Sequence, residues 1–495
     1  MGRAVQALVV SPPDISAGRA GSASILSGGR GPGRRPGGDA PSAVRVALLT
    51  YRGNPRCGGQ GVYVRHLSGE LSALGHRVTV LSGPPYPELA AGVDLVRLPS
   101  LDLYREPDPF RIPRPSEITG PVDLLEVGMM LTGGFPEPLA FAFRAVSWLR
   151  RHRADLDVVH DNQGLGWPML RLGREGWPLV ATVHHPTTVD RDLALADAGS
   201  LRRRLGLRRW YGFVRMQQAV ARRMPLVLTA SQVAAEELVA TYRLEPARLR
   251  VVPVGVDPAV FRPRPEVARV PGRIVAVASA DVPLKGVAHL LDAVARLARR
   301  RSVELVVVGR PSPDGAVARR ARALGAEQFA RFVSGLSDAE LACLWASAEV
   351  AVVPSLYEGF SLPAVEAMAC GTPLVATSGG ALAEVAGPDG EVALVVPPGD
   401  AAALADRIER VLDSPELSAR LGEAGRRRVL ARYTWRRCAE GTVAAYREVL
   451  GDGPGTSGIR SRTGWAPPTL GTPPLGPGRP AHAVGDRRPG PEGPC

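Results

Sequence analysis

Two carboxylates, Glu358 and Glu366, stand in the stretch YEGFSLPAVEAMACGTPLVATSGG with seven residues between them. A strand reading ends at VAVVP just before, so Glu358 falls on a strand-end loop. Ser361 and Pro363 have the types and places of a helix cap and a first-turn proline, which puts Glu366 on the helix that follows. The backbone amides of Phe360, Ser361 and Leu362 then point at an anion on a helix N-terminus, and a diphosphate suits that place. Two acids so spaced reach different parts of one extended, hydroxyl-rich ligand. Lys285, in DVPLKGVAHLL, is the single lysine among 61 cationic side chains. Arginine serves every other need for charge here, so this position reads as one that requires a compact ammonium, a phosphate contact above all. His184 and His185 close the strand reading LVATVHH, and His160 and Asn162 close DVVH, where they are candidates for contact with a second substrate. Asp155 with Asp157 and Asp190 with Asp192 imitate the paired carboxylates of a metal site, but the first pair precedes a buried strand and the second follows HHPTTV. No metal is expected.

The elements that must hold these residues alternate. From Val44, short β-branched runs take turns with helical spacings, the pattern of a doubly wound parallel sheet. VRVALLT opens it, then Val64, Leu67, Leu71 and Leu74 share one helix face, Gly75 stops that helix and RVTVLS follows. DVVH, LVATVHH and LVLTAS continue the series to about Val254. The proline-dense VVPVGVDPAVFRPRP reads as a hinge, after which RIVAVAS, ELVVVG, RFVSG, VAVVPS and PLVATS form a second series. The expected fold is α/β, two facing Rossmann-like domains with a cleft at the carboxyl ends of both sheets. The expected limits are a disordered tail over 1–43, a first domain over 44–254, a second over 255–430, a final helix over 431–451 and a disordered tail over 452–495. Both tails are Gly- and Pro-rich and build no core.

The YEGFSLPAVEAMACGTPLVA block, the glycine pair in CGGQGVYVRHLSGELSALGHRVTVL, the hinge VPVGVDPAVFRP and LKG before a helix together resemble the family-4 retaining glycosyltransferases of the GT-B fold. The resemblance covers 44–450 and is most specific in the second domain. It implies transfer of a sugar from a nucleotide diphosphate-sugar, UDP- or GDP-linked, with retention and without a metal or other cofactor. It implies that Glu358 contacts the donor sugar, that Glu366 holds the ribose and that Lys285 holds the diphosphate. It also implies that the Gly58–Gly59 loop closes over the donor, that His184 lies beside the reacting sugar and that the final helix crosses back to the first domain. Members of the family carry Gly-Arg upstream of the lysine, where this chain has Ser279 and Ala280; Arg310, at a neighbouring strand end, is a candidate replacement cation.

Composition bounds the rest. Hydrophobic residues make up 45% and charged residues 22% of the 495, as in chains with large cores. The net charge is +13; the tails hold ten arginines against five acids, which leaves about +8 on the body. No zinc-finger spacing or RNA-binding signature accompanies that charge, so nucleic acid is not an expected partner. Five cysteines without paired spacing and the lack of a long apolar run point to the cytoplasm. The stretch 201–224 interleaves arginines with Leu201, Leu205, Trp210, Phe213 and Val214, a composition suited either to a solvated helix face or to peripheral contact with an anionic membrane. The expected acceptor is a small molecule or lipid-linked. Two other functions compete: a non-catalytic nucleotide-sugar-binding protein, and an NAD-dependent oxidoreductase, for which RGNPRCGGQG lacks the G-x-G-x-x-G spacing.

Overall fold

Strand order decides where a ligand can sit. The computed structural model describes residues 43–451 apart from 55–58, 106, 107, 109 and 197, so both tails and Gly58 lie outside the described residues. Seven parallel strands form the first sheet: β1 (Arg45–Thr50), β2 (Arg77–Ser82), β3 (Asp94–Arg97), β4 (Val158–Asn162), β5 (Leu179–Thr182), β6 (Leu226–Thr229) and β7 (Leu249–Val251). Six form the second: β8 (Arg273–Val277), β9 (Glu304–Val308), β10 (Ala330–Val333), β11 (Val350–Val353), β12 (Leu374–Thr377) and β13 (Leu394–Val396). The spatial orders are 3-2-1-4-5-6-7 and 10-9-8-11-12-13. Each order reverses at its centre, between β1 and β4 and between β8 and β11, and the loops leaving those carboxyl ends diverge to open a crevice. The chain thus folds as two Rossmann-like halves, as expected.

The strands are buried on both faces. β1, β5 and β6 carry near-continuous Val, Ala and Leu because helices cover each side of the sheet. One face of the first sheet packs Val46, Leu48, Val80 and Val180 against Tyr63, Leu67 and Leu71 of the helix Gly59–Ala73. The same cluster takes in Trp435, Cys438, Val443 and Tyr446 from the last helix, Trp435–Leu450. That helix therefore belongs to the core of the first half although it follows the second in sequence. His66 stacks on Trp435 with ring centroids 4.9 Å apart. Beside the outgoing hinge, Val256 N donates to Tyr433 O (2.9 Å) and Trp435 N donates back to Val256 O (3.3 Å). The two crossings run side by side there, and a Cβ at Gly255 would collide with the Thr434 backbone.

His160 fixes the last helix from beneath. Its Nδ1 meets the Tyr446 hydroxyl at 2.7 Å and its Nε2 meets Thr182 Oγ1 at 2.7 Å. Burial pushes the imidazole down to about 3 from its usual 6.5, and the neighbouring His184 imidazole adds to the effect. Between those values the unfolded chain takes up a proton that the folded chain refuses, so stability falls as pH drops below about 6.5. Each such imidazole contributes a slope of about 1.4 kcal/mol per pH unit in that window. The variant His160→Gln should show a shallower loss of urea midpoint between pH 6.5 and 5 than the parent protein. Equal slopes would remove His160 as the source.

Candidate active site

The loops leaving β8 and β11 bring the single lysine to the first of the two glutamates. Lys285 ends a short 3-10 turn, Pro283–Lys285, and Gly286 follows in the left-handed region at φ 66°. A Cβ at Gly286 would collide with Pro354 O, so this glycine is required twice, by its torsion and by its neighbour. Held this way, Lys285 Nζ donates to Glu358 Oε1 at 2.8 Å and to Oε2 at 2.9 Å. Ser355 Oγ donates to the same Oε1 at 2.7 Å. Glu358 is 9% exposed, so the ion pair stands at the wall of the crevice and not free in solvent.

Ser361 caps the helix Leu362–Ala369, its side chain accepting from Ala364 N. The side chains of Phe360 and Leu362 pack on the cores of both halves, which fixes the cap's position at the seam. Glu366 is half-buried on this helix; burial pushes its carboxyl up to about 7, and the charge of Asp338 adds to the shift. Gly59 begins the helix Gly59–Ala73 and has open space around it.

Opposite stands His184. Its backbone N donates to Gln163 Oε1 (3.0 Å), and its Nε2 donates to Asn162 Oδ1 (2.8 Å), which makes Nδ1 the accepting nitrogen. Burial pushes this imidazole down to about 3, and Tyr63 packs edge-on at 4.6 Å. His184 is thus a neutral hydrogen-bonding group at physiological pH. Burial works against protonation of His185, but Asp190 at 2.8 Å more than offsets it and the pKa is raised.

The sequence signalled some of the surroundings weakly and others not at all. Asn162 faces His184, while its strand neighbour His160 is buried at 0% exposure under the last helix; the reading of His160 as a substrate contact is corrected accordingly. The loop after β4 holds Gln163 and Leu165 at φ 57° and 49°, a strained torsion for residues other than glycine. Asp161 offsets that strain by accepting from Gly164 N and Leu165 N, each at 2.8 Å. Contacts across the crevice were not foreseen. Ser231 Oγ donates to Gly359 O (2.8 Å), Tyr357 hydroxyl donates to Glu237, and Gln232 N donates to Glu384 Oε2 (2.9 Å). A Cβ at Gly359 would stand 2.8 Å from the Cβ of His185, so only glycine lets the halves approach here.

The acidic pairs find other uses: Asp157 binds Arg45 at 2.7 Å and Asp190 binds His185. Of the apolar residues in 201–224, Leu201 and Leu205 are 72% and 55% exposed, whereas Val214 is fully buried and Trp210 and Phe213 pack on Phe135. Among the described residues no helix is long and apolar enough to cross a membrane.

Comparison with known proteins bears on this arrangement. The profile described as Glycosyltransferase Family 4 matches residues 57–260, and that described as Glycosyl transferases group 1 matches 263–428. The MMP alpha-(1->4)-mannosyltransferase of Mycolicibacterium hassiacum is 55% identical over 408 residues, spanning 82% of this chain and 98% of the relative. The chain is a family-4 glycosyltransferase. A D-inositol 3-phosphate glycosyltransferase of Saccharomonospora viridis is 31% identical over 441 residues, spanning 84% of this chain and 95% of that one. Among solved structures, sucrose-phosphate synthase of Thermosynechococcus elongatus superposes with a TM-score of 0.64 at 27% identity, over 82% of this chain and 99% of the synthase. In this family-4 glycosyltransferase the two profiles divide the chain at the hinge between the two halves.

Proposed function

We propose that this glycosyltransferase moves a mannosyl unit from a nucleoside diphosphate-mannose, GDP- or UDP-linked, to the 4-hydroxyl of an acceptor sugar, with retention of configuration and no metal. The observation that carries the reading is 55% identity to an alpha-(1->4)-mannosyltransferase over 98% of that relative's length. The facing geometry of Lys285, Glu358 and His184 supports it. The leaving diphosphate lies at the ammonium of Lys285 and the capped N-terminus of Leu362–Ala369, while Glu358 and the neutral His184 take hydroxyls of the mannose. As the bond from the anomeric carbon to the phosphate oxygen breaks, the acceptor hydroxyl adds to the same face and gives its proton to the departing phosphate oxygen. No protein base is then required, and the enzyme supplies positioning and charge.

Mixing the full chain with GDP-mannose or UDP-mannose and a short mannoside should release the nucleoside diphosphate and give an α-(1→4)-linked product by NMR. Release with glucosyl donors and none with mannosyl donors would overturn the proposal. Within this reading Glu366 holds the ribose equally in the bound and transition states. Glu366→Ala should therefore raise the donor KM roughly ten- to a hundredfold and leave turnover nearly unchanged. A matching fall in kcat would assign Glu366 to the chemical step instead.

A further inference from the structure

The carboxyl edge of the second sheet carries a cation that the ion pair does not use. Both carboxylate oxygens of Glu358 lie on Lys285, so the pair as it stands brings no net charge to a ligand with two or more negative charges. Arg310 follows the end of β9, the strand beside β8, from which the Lys285 loop departs. The two strands stay in register to Val277 and Val308, and the ladder runs one bond further, Ala278 N to Val308 O at 3.0 Å. Arg310 thus comes level with Ser279, at about the 4.8 Å spacing of neighbouring strands.

The two loops are braced together. Asp281 Oδ2 accepts from Ser312 N (2.7 Å) and from Ser312 Oγ (2.6 Å). Gly315 leaves no room for a Cβ against the same carboxylate. On the helix beyond, Arg319, Arg320 and Arg322 are occupied with Asp314 O, Asp292 and Pro313 O. Arg310 is exposed and makes no hydrogen bond or ion pair among the described residues. An unengaged guanidinium on a braced loop, one strand from the lysine, suits a planar, bidentate hold on phosphate oxygens.

We propose that Arg310 is the second cation of the diphosphate site, delivering from the end of β9 a charge that Ser279 and Ala280 at the end of β8 do not supply. The proposal rests on the nucleotide-sugar reading above. Titration calorimetry of the full chain with GDP, UDP and the two monophosphates separates the two claims. Binding of neither diphosphate by the parent protein would overturn the functional reading itself. Where the parent binds one of them, Arg310→Ala should weaken that diphosphate about tenfold or more, with the monophosphate little affected. Adding Ser279→Arg, at an exposed position level with residue 310, should recover most of the loss. Unchanged diphosphate affinity in Arg310→Ala, or an equal loss for the monophosphate, would overturn the role of Arg310 and leave the functional reading standing.

Discussion

Lys285→Ala is expected to lower turnover roughly ten- to a few-hundredfold, the range that follows from losing one charge-assisted hydrogen bond of about 1.5–3 kcal/mol where charge builds on the leaving group. Lys285→Arg should recover little of it while folding normally. The ammonium is compact enough to lie 2.8 and 2.9 Å from the two oxygens of one carboxylate and still turn toward a phosphate. A guanidinium is a wider planar fork with fixed donor directions. The turn that presents residue 285 cannot shift to make room, because Gly286 is pressed against Pro354 O. Steady-state kinetics on both variants, with thermal midpoints to show intact folding, provide the check. A fully active Lys285→Arg enzyme would show that charge alone suffices and that the survival of one lysine among sixty arginines has no functional cause.

Neutralising Glu358 should push two observables in opposite directions. In the ligand-free protein its carboxylate and Lys285 satisfy each other, and any diphosphate has to compete for that ammonium. Glu358→Gln relieves the competition, so affinity for the free nucleoside diphosphate should rise severalfold, up to about tenfold, a gain of about 1.4 kcal/mol. Turnover should nevertheless fall roughly ten- to a hundredfold, since the group that holds the donor sugar loses its charge. Tighter product binding with slower catalysis is not the signature of a damaged fold. Weaker binding of the diphosphate by Glu358→Gln would mean that the carboxylate supports Lys285 and does not restrain it.

Two alternating halves could be read from the chain because buried parallel strands are nearly continuous β-branched and aliphatic runs, and VRVALLT, ELVVVG and VAVVPS are such runs. β3, β7 and β13 escaped for the same physical reason in reverse. They are only three or four residues long, and DLVR and LRV are only partly buried. The chemistry of Lys285 and Glu358 was legible from residue type, but their ion pair was not. It spans 73 positions and follows from β8 and β11 being neighbours at the reversal of strand order. Sequence spacing does not state which carboxyl ends adjoin. His160 misled for a related reason: its partner Tyr446 lies 286 residues away, and the expected return of the final helix to the first domain does not say which strand-end residue it covers. Asn162 and Gln163 shared the same strand-end signal as His160, and only the left-handed torsions that turn the loop back show which of them reach His184.

The return of the last helix has a consequence for synthesis. Val46, Leu48, Val180 and Leu228 are made early, yet the face they form is closed by Trp435, Cys438, Val443 and Tyr446, translated near the end of the described chain. Domains ordinarily fold in order as they leave the ribosome. Here the part of that face which the final helix covers, and the His160 imidazole beneath it, stay without their cover until the whole second half has been made. Nascent chains stalled before residue 435 should accordingly be those that bind chaperones and are cut by proteases. A released chain gains a protected first half only when its final turns dock, so the active crevice is assembled as one of the last events of biosynthesis.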